Sequence, residues 1–433
     1  MPIPKIRFEK YFLLIIILFA AIPRIIIVSS INVSPFSDFD LYHSLAKSLS
    51  QGVASTQEYI ALFPHVVGYP YILSFFYKIF GAYAEVAQGL NILFSIGIAI
   101  LIYLICKIKV NSYAAIFASI LWCLWPTQMF YCELPCTEYT FTFFMLLTVY
   151  LFLVFTEAPV LKSNPLFLAL CAIVIGVLLA VTNAIRPTGI ILLLGMLILI
   201  FLMKYKKREL IYRFLLVLVI GVSFLIVSKT ISGNVERLID RKVAQSPIGF
   251  NLYVGMNYDS KGGWNLEDST YLSELLKKHN GDVNLVHTEL LNGGIQRFFS
   301  RDIGKNLELF MIKSSKMWGV DNDASSFLSI GEDKNNFGII NVTQSLKLLD
   351  SISNTYYWLC LLMCLLILIY KLFLKRFDKI DAFIALILLF NIGLFMLMEV
   401  QPRYHFPIVS LLAIFIGKNS YSIFTFRKRS DML

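Results

Sequence analysis

The chain has 433 residues, of which 58% are hydrophobic and only 15% charged, and its mean hydropathy is +0.71, whereas a soluble domain carries roughly 25% charged residues. That composition excludes a soluble enzyme and predicts an all-α polytopic membrane protein. The net charge of +10 does not point to nucleic acid, because Lys and Arg stand in short stretches between apolar runs, where they set orientation in the bilayer.

The N-terminal stretch MPIPKIRFEKYFLLIIILFAAIPRIIIV has a basic head. Its apolar run is too long for a signal peptide and lacks a small-x-small cleavage site, so it reads as a retained span. A spanning helix needs about 20 apolar residues, and such windows fall near 11–31, 84–106, 112–130, 137–156, 165–184, 187–203, 211–230, 355–374, 380–398 and 404–426. About ten transmembrane helices are therefore expected. With both termini cytoplasmic, Lys107, Lys109, Lys162, Arg213, Lys371, Lys379 and Lys418 all fall inside. The short outer connections then carry little beyond Lys47, Lys78, Arg186 and Arg403. Arg24, in the outer half of the first span, is expected to snorkel outward. The stretch GYPYILSFFYKIFG, 68–81, is too short to span and reads as an interfacial amphipathic helix.

Residues 231–353 contain no spanning window and no Cys, with helical periodicity from about 284 to 318. This segment is expected outside, ordered by packing on the membrane domain. The division is thus 1–230, about seven spans with a first external loop over 32–83; 231–353, external; and 354–433, about three spans. The seven Cys lie almost all in apolar runs, where Cys behaves as a small hydrophobe. Only Cys132 and Cys136 reach an oxidising face, and their C-x3-C spacing leaves a disulfide open.

On this topology the unusual polar residues all fall on one face: Asp38, Asp40, Glu58 and His65; Glu133 and Glu138; Asn183 and Arg186; Gln401, Arg403 and His405. Ionisable groups at a membrane boundary are functional candidates. In SDFDLYHSLAKSL the plain reading is a helix capped by Ser37 or Asp38, with Asp40 favoured in the first turn by the helix dipole. The alternative is that a carboxylate fixed there acts as a general base toward a hydroxyl arriving from outside.

The order SDFDLYHSLAKSLSQG, FPHVVGYPYILSFFYKIFG, YCELP, NAIRPTGI and EVQPRYHFPIVSLL resembles the GT-C membrane glycosyltransferases. The likeness is to the bacterial branch related to protein O-mannosyltransferases and the lipid A aminoarabinose transferase. The specific patterns are Asp38-x-x-x-Tyr42-x-x-x-Ala46 and Arg403-Tyr404-x-x-Pro407. The resemblance implies transfer of a sugar from a polyprenyl-phosphate donor to an acceptor hydroxyl at the outer face, with inversion. Asp38 matches the first-loop acid taken as base, and Glu133 the acid of the second external loop. The family often has an acid beside the first; here Phe39 stands there and Asp40 follows. His65 falls near a phosphate-contacting basic residue, although the Lys-Pro-Pro pattern is absent.

Asp38, Asp40 and Glu133 are therefore the catalytic candidates. Arg403, His65, Arg186 and Lys316 are those for donor phosphate, and Tyr42, Tyr404, His405 and Gln401 those for substrate binding. Each has a plainer role beside it. Arg403 and Arg186 could be headgroup anchors, Glu133 a loop-orienting partner, His65 packing, and Lys313 and Lys316 a solvated helix face. A divalent cation on Asp38, Asp40 and Glu133 is left open. The acceptor is an envelope glycan, lipid or protein. The rival classes are a transporter or lipid-linked sugar flippase, which tends to carry inverted repeats and midplane charges, and an O-antigen ligase or polymerase.

Overall fold

The computed structural model describes residues 5–31, 33–157, 164–203, 205–331, 342–374 and 377–430. Among them the regular structure is entirely helical, as expected. Lys162 lies outside the described residues. The first helix, α1 (Lys5–Ser30), is followed by three short ones, α2 (Ser37–Ser50), α3 (Gln57–Leu62) and α4 (Gly68–Phe80). The bundle continues with α5 (Ala84–Lys107), α6 (Ser112–Cys123), α7 (Pro126–Phe130), α8 (Thr137–Glu157), α9 (Pro165–Ile185), α10 (Gly189–Leu202) and α11 (Lys207–Ile239). Five helices fill the polar segment: α12 (Ile248–Gly255), α13 (Leu266–Lys278), α14 (Val283–Phe299), α15 (Ile303–Trp318) and α16 (Asp323–Gly331). The chain closes with α17 (Val342–Leu374), α18 (Lys379–Leu397) and α19 (Phe406–Ser430).

Seven helices among the described residues are long and apolar enough to cross a membrane, or eight if one bent pair counts as a span. Two of the ten expected windows are altered for local reasons. The window 112–130 is broken by 68° between α6 and α7. Pro126 supplies no N–H and forces the preceding residue out of the helical region; Trp125 accordingly sits at φ −70, ψ 116. The window 187–203 yields only the 14-residue α10, about 21 Å long against a hydrocarbon core of about 30 Å.

The break explains Arg24, which does not snorkel. It is fully buried, and its guanidinium donates to the carbonyls of Ala20 (3.0 Å), Cys123 (3.3 Å) and Gln128 (3.0 Å). The last two flank the break, where they have lost helical partners. In a low-dielectric interior an unmade backbone bond is costly, so an arginine fits better here than at the headgroups.

The helix over 68–81 forms as expected. It buries Tyr69, Leu73 and Tyr77 and exposes Tyr71, Phe75, Ile79 and Phe80. Its first residue needs to be glycine, because a Cβ on Gly68 would stand 2.1 Å from the Ala184 carbonyl oxygen. The periodicity over 284–318 resolves into α14 and α15, separated where Asp302 caps α15 by accepting from the Lys305 N–H.

Two cores organise the molecule. The larger runs through the bundle, and the smaller joins the first loop (Leu45, Leu49, Ile60, Phe63, Val67) to α11, α12 and α14 (Ile239, Val254, Val286, Leu290). The polar segment thus orders itself partly on the first loop. It is also pinned to the last turn of α18: Lys313 Nζ donates to the carbonyls of Gly255 in α12 (2.8 Å) and Met396 in α18 (2.7 Å). At the other ends of the long helices, Glu157 pairs with Lys109 (3.0 Å) and Lys379 (2.8 Å). There Asp381 pairs with Lys418 (2.9 Å) and accepts from Lys371. Cys132 and Cys136 are both buried free thiols, so the disulfide left open by their spacing does not form.

Candidate active site

The first turn of α2 decides what Asp38 is for. The helix is capped by Phe36, whose side chain accepts nothing, so the expected Ser37 or Asp38 cap is not made. The Asp38 carboxylate instead accepts a hydrogen bond from the Arg403 guanidinium, and the two form an ion pair. Asp40, two residues on, is turned about 200° around the helix. It is exposed, accepting only from the Ser44 hydroxyl at 3.2 Å.

Arg403 lies in the short turn Pro402–His405 that leads into α19. Its guanidinium carbon stands 5.8 Å from the Phe39 ring centre, 5.7 Å from Phe327 and 6.0 Å from Tyr404. These faces hold a buried cation in place. Its Nε is buried without a partner, so the fork is only partly used. The Tyr404 ring has a second guanidinium, Arg186, 5.7 Å from its centre. Arg186 donates from Nε to the Thr137 hydroxyl (2.9 Å) and pairs with the buried Glu138. Two arginines therefore flank one tyrosine ring, each neutralised by its own carboxylate.

Below Arg186 lies a narrow apolar slot with about 30 Å³ of free space, its walls including Met145 of α8, Leu192 of α10, Phe395 of α18 and Ile408 of α19. Tyr42, on the same turn of α2 as Asp38, packs its ring edge-on to Tyr69 at 5.8 Å.

The remaining candidates take different places. Gln401 and Tyr404 direct their polar atoms to Glu399, at 2.8 Å and 3.5 Å. Lys316 is partly buried and its Nζ lies against Gly263; burial lowers its pKa, with Glu399 opposing. His65 is half-buried within the electrostatic range of Arg186, and desolvation pushes its pKa down to about 4. It is therefore uncharged near neutrality and brings no positive charge to a phosphate. His405 is a support: Nδ1 meets the Met317 carbonyl (2.7 Å) and Nε2 the Asp321 carboxylate (3.1 Å), while its ring stacks between Trp318 and Tyr357. Asp321 also accepts from Trp125 Nε1 (2.6 Å), which ties the Arg403 turn to the helix break.

Glu133 is not brought to this cluster. Its buried carboxylate accepts from Gln88 of α5 at 2.9 Å, and Glu138 stands beside Arg186 instead. The three carboxylates considered for a cation, Asp38, Asp40 and Glu133, are not assembled. Among the described residues no group of three His, Cys, Asp or Glu is placed to hold a metal.

Asp323 and Phe327, both on α16, escape a sequence reading. Burial pushes the Asp323 carboxyl up to about 7, with His405 and Arg403 opposing, and its Oδ2 has no partner. The only signal was the acid pair of VDND in a stretch that otherwise reads as loop. Glu399 stands inside EVQPRYH, where nothing in its spacing sets it apart from its neighbours.

Residues 64–232 match the family model described as dolichyl-phosphate-mannose-protein mannosyltransferase. No curated protein matches the chain. Among solved structures, the oligosaccharyltransferase of Archaeoglobus fulgidus in its apo form aligns over 98% of this chain and 52% of its own, with a TM-score of 0.52 and 13% identity. The same archaeal enzyme, AglB, in complex with an inhibitory peptide and a dolichol-phosphate aligns over the same shares, with a TM-score of 0.51 and 12% identity. Its form tethered to an acceptor peptide aligns over 96% of this chain and 50% of its own, with a TM-score of 0.51 and 14% identity. The chain spans about half the length of these structures. The family match bears out the resemblance to GT-C type membrane glycosyltransferases, and the solved structures share the fold.

Proposed function

We propose that this chain is a membrane glycosyltransferase that moves a sugar from a polyprenyl-phosphate donor to an acceptor hydroxyl, with inversion and with Asp38 as general base. The observation that carries this is the pairing of Asp38 with Arg403 beside Arg186, whose slot descends among the bundle helices. A polyprenyl tail belongs in an apolar slot and its phosphate at the mouth, where guanidinium forks match phosphate oxygens.

The acceptor oxygen attacks the anomeric carbon as its proton passes to the Asp38 carboxylate, and the bond from that carbon to the phosphate oxygen breaks. The departing phosphate gains one negative charge, which Arg403 and Arg186 meet from the two sides of Tyr404. Charge placed where it develops in the transition state is often the largest catalytic contribution, and a positioned base adds about 10²–10⁴-fold. In the resting arrangement Arg403 neutralises Asp38. A donor phosphate competes for that guanidinium and so frees the base only once the donor is bound. The basic residues at the far ends of the bundle support an outer-face site by the positive-inside rule, with an envelope glycan, lipid or protein as acceptor. AglB, whose structure is solved in complex with a dolichol-phosphate, lends the donor class support.

The test is transfer of labelled sugar from polyprenyl-phosphate sugars by the purified protein in nanodiscs. Asp38→Asn should lose about 10²–10⁴-fold in turnover while still binding donor. Unchanged turnover removes Asp38 as base.

A further inference from the structure

Segment 231–353 holds a second concavity, away from the arginine pair, that no part of the mechanism above uses. It is a groove of about 530 Å³ between α12 and α13, with Tyr253, Tyr271, Asp268, Arg297, Glu267 and Glu274 in its lining. We infer that this groove binds a saccharide portion of the acceptor, with a sugar ring face on the tyrosine pair and its hydroxyls on Glu267 and Glu274. The inference rests on the glycosyltransferase reading and extends it to the acceptor's class.

The floor of the groove is built to be rigid. Tyr253 and Tyr271 stack with ring centres 5.4 Å apart at 28°. Arg297 lies 3.5 Å over the Tyr253 ring, and it donates to the Tyr253 carbonyl (2.7 Å) and to Asp268 (2.8 Å). Asp268 is buried and also accepts from Asn257 (3.0 Å) and Asn265 (2.8 Å). Asp268 and Arg297 are thus consumed in fixing the aromatic pair, and neither is free for a ligand.

The groups left over define the ligand. Glu267, Tyr271 and Glu274 recur at helical spacing on one face of α13, and both glutamates are exposed. They offer acceptor oxygens beside an aromatic face, the complement of a sugar's hydroxyl donors and its apolar ring face. A cationic peptide would also meet the carboxylates. However, Tyr253 is covered by Tyr271 and Arg297, and the guanidinium already in the lining opposes a second cation, which favours a neutral ring on the outer face of Tyr271. The volume lies within the range of small-molecule sites.

The groove is also close to the chemistry. Its wall α12 is the helix on which the loop after α18 rests: the Glu399 N–H donates to the Asn251 carbonyl at 2.8 Å, and a Cβ on Gly255 would stand 2.3 Å from the Leu397 carbonyl oxygen. The groove and the loop that runs into Arg403 thus share α12 as a wall.

The full-length protein in nanodiscs, fluorescently labelled, is applied to an array of bacterial envelope oligosaccharides that also carries tetralysine peptides. The expected result is retention on a subset of saccharides, reduced at least tenfold by Tyr271→Ala and kept by Tyr271→Phe. Tyr271→Ala should release sugar from donor to water at the wild-type rate, which shows it folded and separates this site from the arginine pair. Retention on no saccharide, equal retention by Tyr271→Ala, or stronger retention on tetralysine overturns the inference. Saccharide retention that depends on Tyr271, in a protein that transfers no sugar, overturns the glycosyltransferase reading and leaves the groove assignment standing.

Discussion

The Arg403 guanidinium donates to the Asp38 carboxylate across a separation of 365 residues, joining the turn before the last helix to the first loop. Asp38 keeps 39% of its side-chain exposure and Arg403 only 8%, so the acid faces an incoming molecule while the arginine is anchored among rings. The pair is both a lock on the base and a preformed place for an anion.

If donor phosphate displaces Asp38 from this arginine, Arg403→Lys should fail to substitute. It keeps the charge but loses the planar fork. Donor KM should rise about tenfold or more and kcat should fall, with acceptor KM little changed. Steady-state kinetics with donor varied at fixed acceptor decides it, and an unaltered donor KM rules out a phosphate role.

Glu138 and Glu133 make a sharper comparison. Glu138→Gln releases Arg186 from its ion pair, so free polyprenyl phosphate should inhibit the variant several-fold more strongly, with turnover reduced. Glu133→Gln retains a hydrogen-bonding partner for Gln88 and should transfer sugar within about threefold of wild type. Inhibition constants for polyprenyl phosphate measure the first effect. Loss of activity in the Glu133 variant alone would restore it as the second-loop acid.

The pH dependence of stability should carry the mark of Asp323. Its folded pKa, about 7, lies above the unfolded value of about 3.9, so between these limits the folded state binds more protons. Stability from this group is complete below about pH 4 and is lost as pH rises through 7. Asp323→Asn should therefore match wild type in acid and exceed it at pH 8, by on the order of 2–4 kcal/mol. Thermal unfolding at pH 5 and pH 8 measures the difference, and a gap that does not widen with pH contradicts the assignment.

Arg24→Met tests the buried role of the first-span arginine. With the Cys123 carbonyl deprived of this donor and the Gln128 carbonyl left to the Tyr139 hydroxyl alone, the variant should lose about 1–3 kcal/mol for the unsatisfied group. A snorkelling arginine would tolerate the change. Melting temperature of the purified variants in detergent distinguishes the two.

Gly68 links packing to the site. Gly68→Ala drives a Cβ against the Ala184 carbonyl and the Ile185 nitrogen, two residues and one residue before Arg186, and neither backbone atom can rotate away. Transfer activity should fall at least tenfold, with a larger effect on donor KM than on acceptor KM. Wild-type donor KM in a folded variant would show that the α9 end does not position Arg186.

The sequence by itself determined that this is a helical membrane protein, where its apolar runs lie, and that its unusual polar residues cluster at loop ends. Hydropathy and spacing are local quantities, and each apolar run carries its own need for lipid or core. It also contained the turn of α2 that sets Asp38 and Asp40 on different faces, since residues two apart on a helix diverge by about 200°. Only the tertiary structure decided that Arg403 meets Asp38, that Glu138 rather than Glu133 stands beside Arg186, and that Arg24 turns inward to a broken helix. It alone brought Asp323 and Phe327 of α16 to the same place. Those outcomes depend on which distant carbonyls and charges packing leaves without water, and a buried polar group takes the partner the fold delivers to it, however far away along the chain.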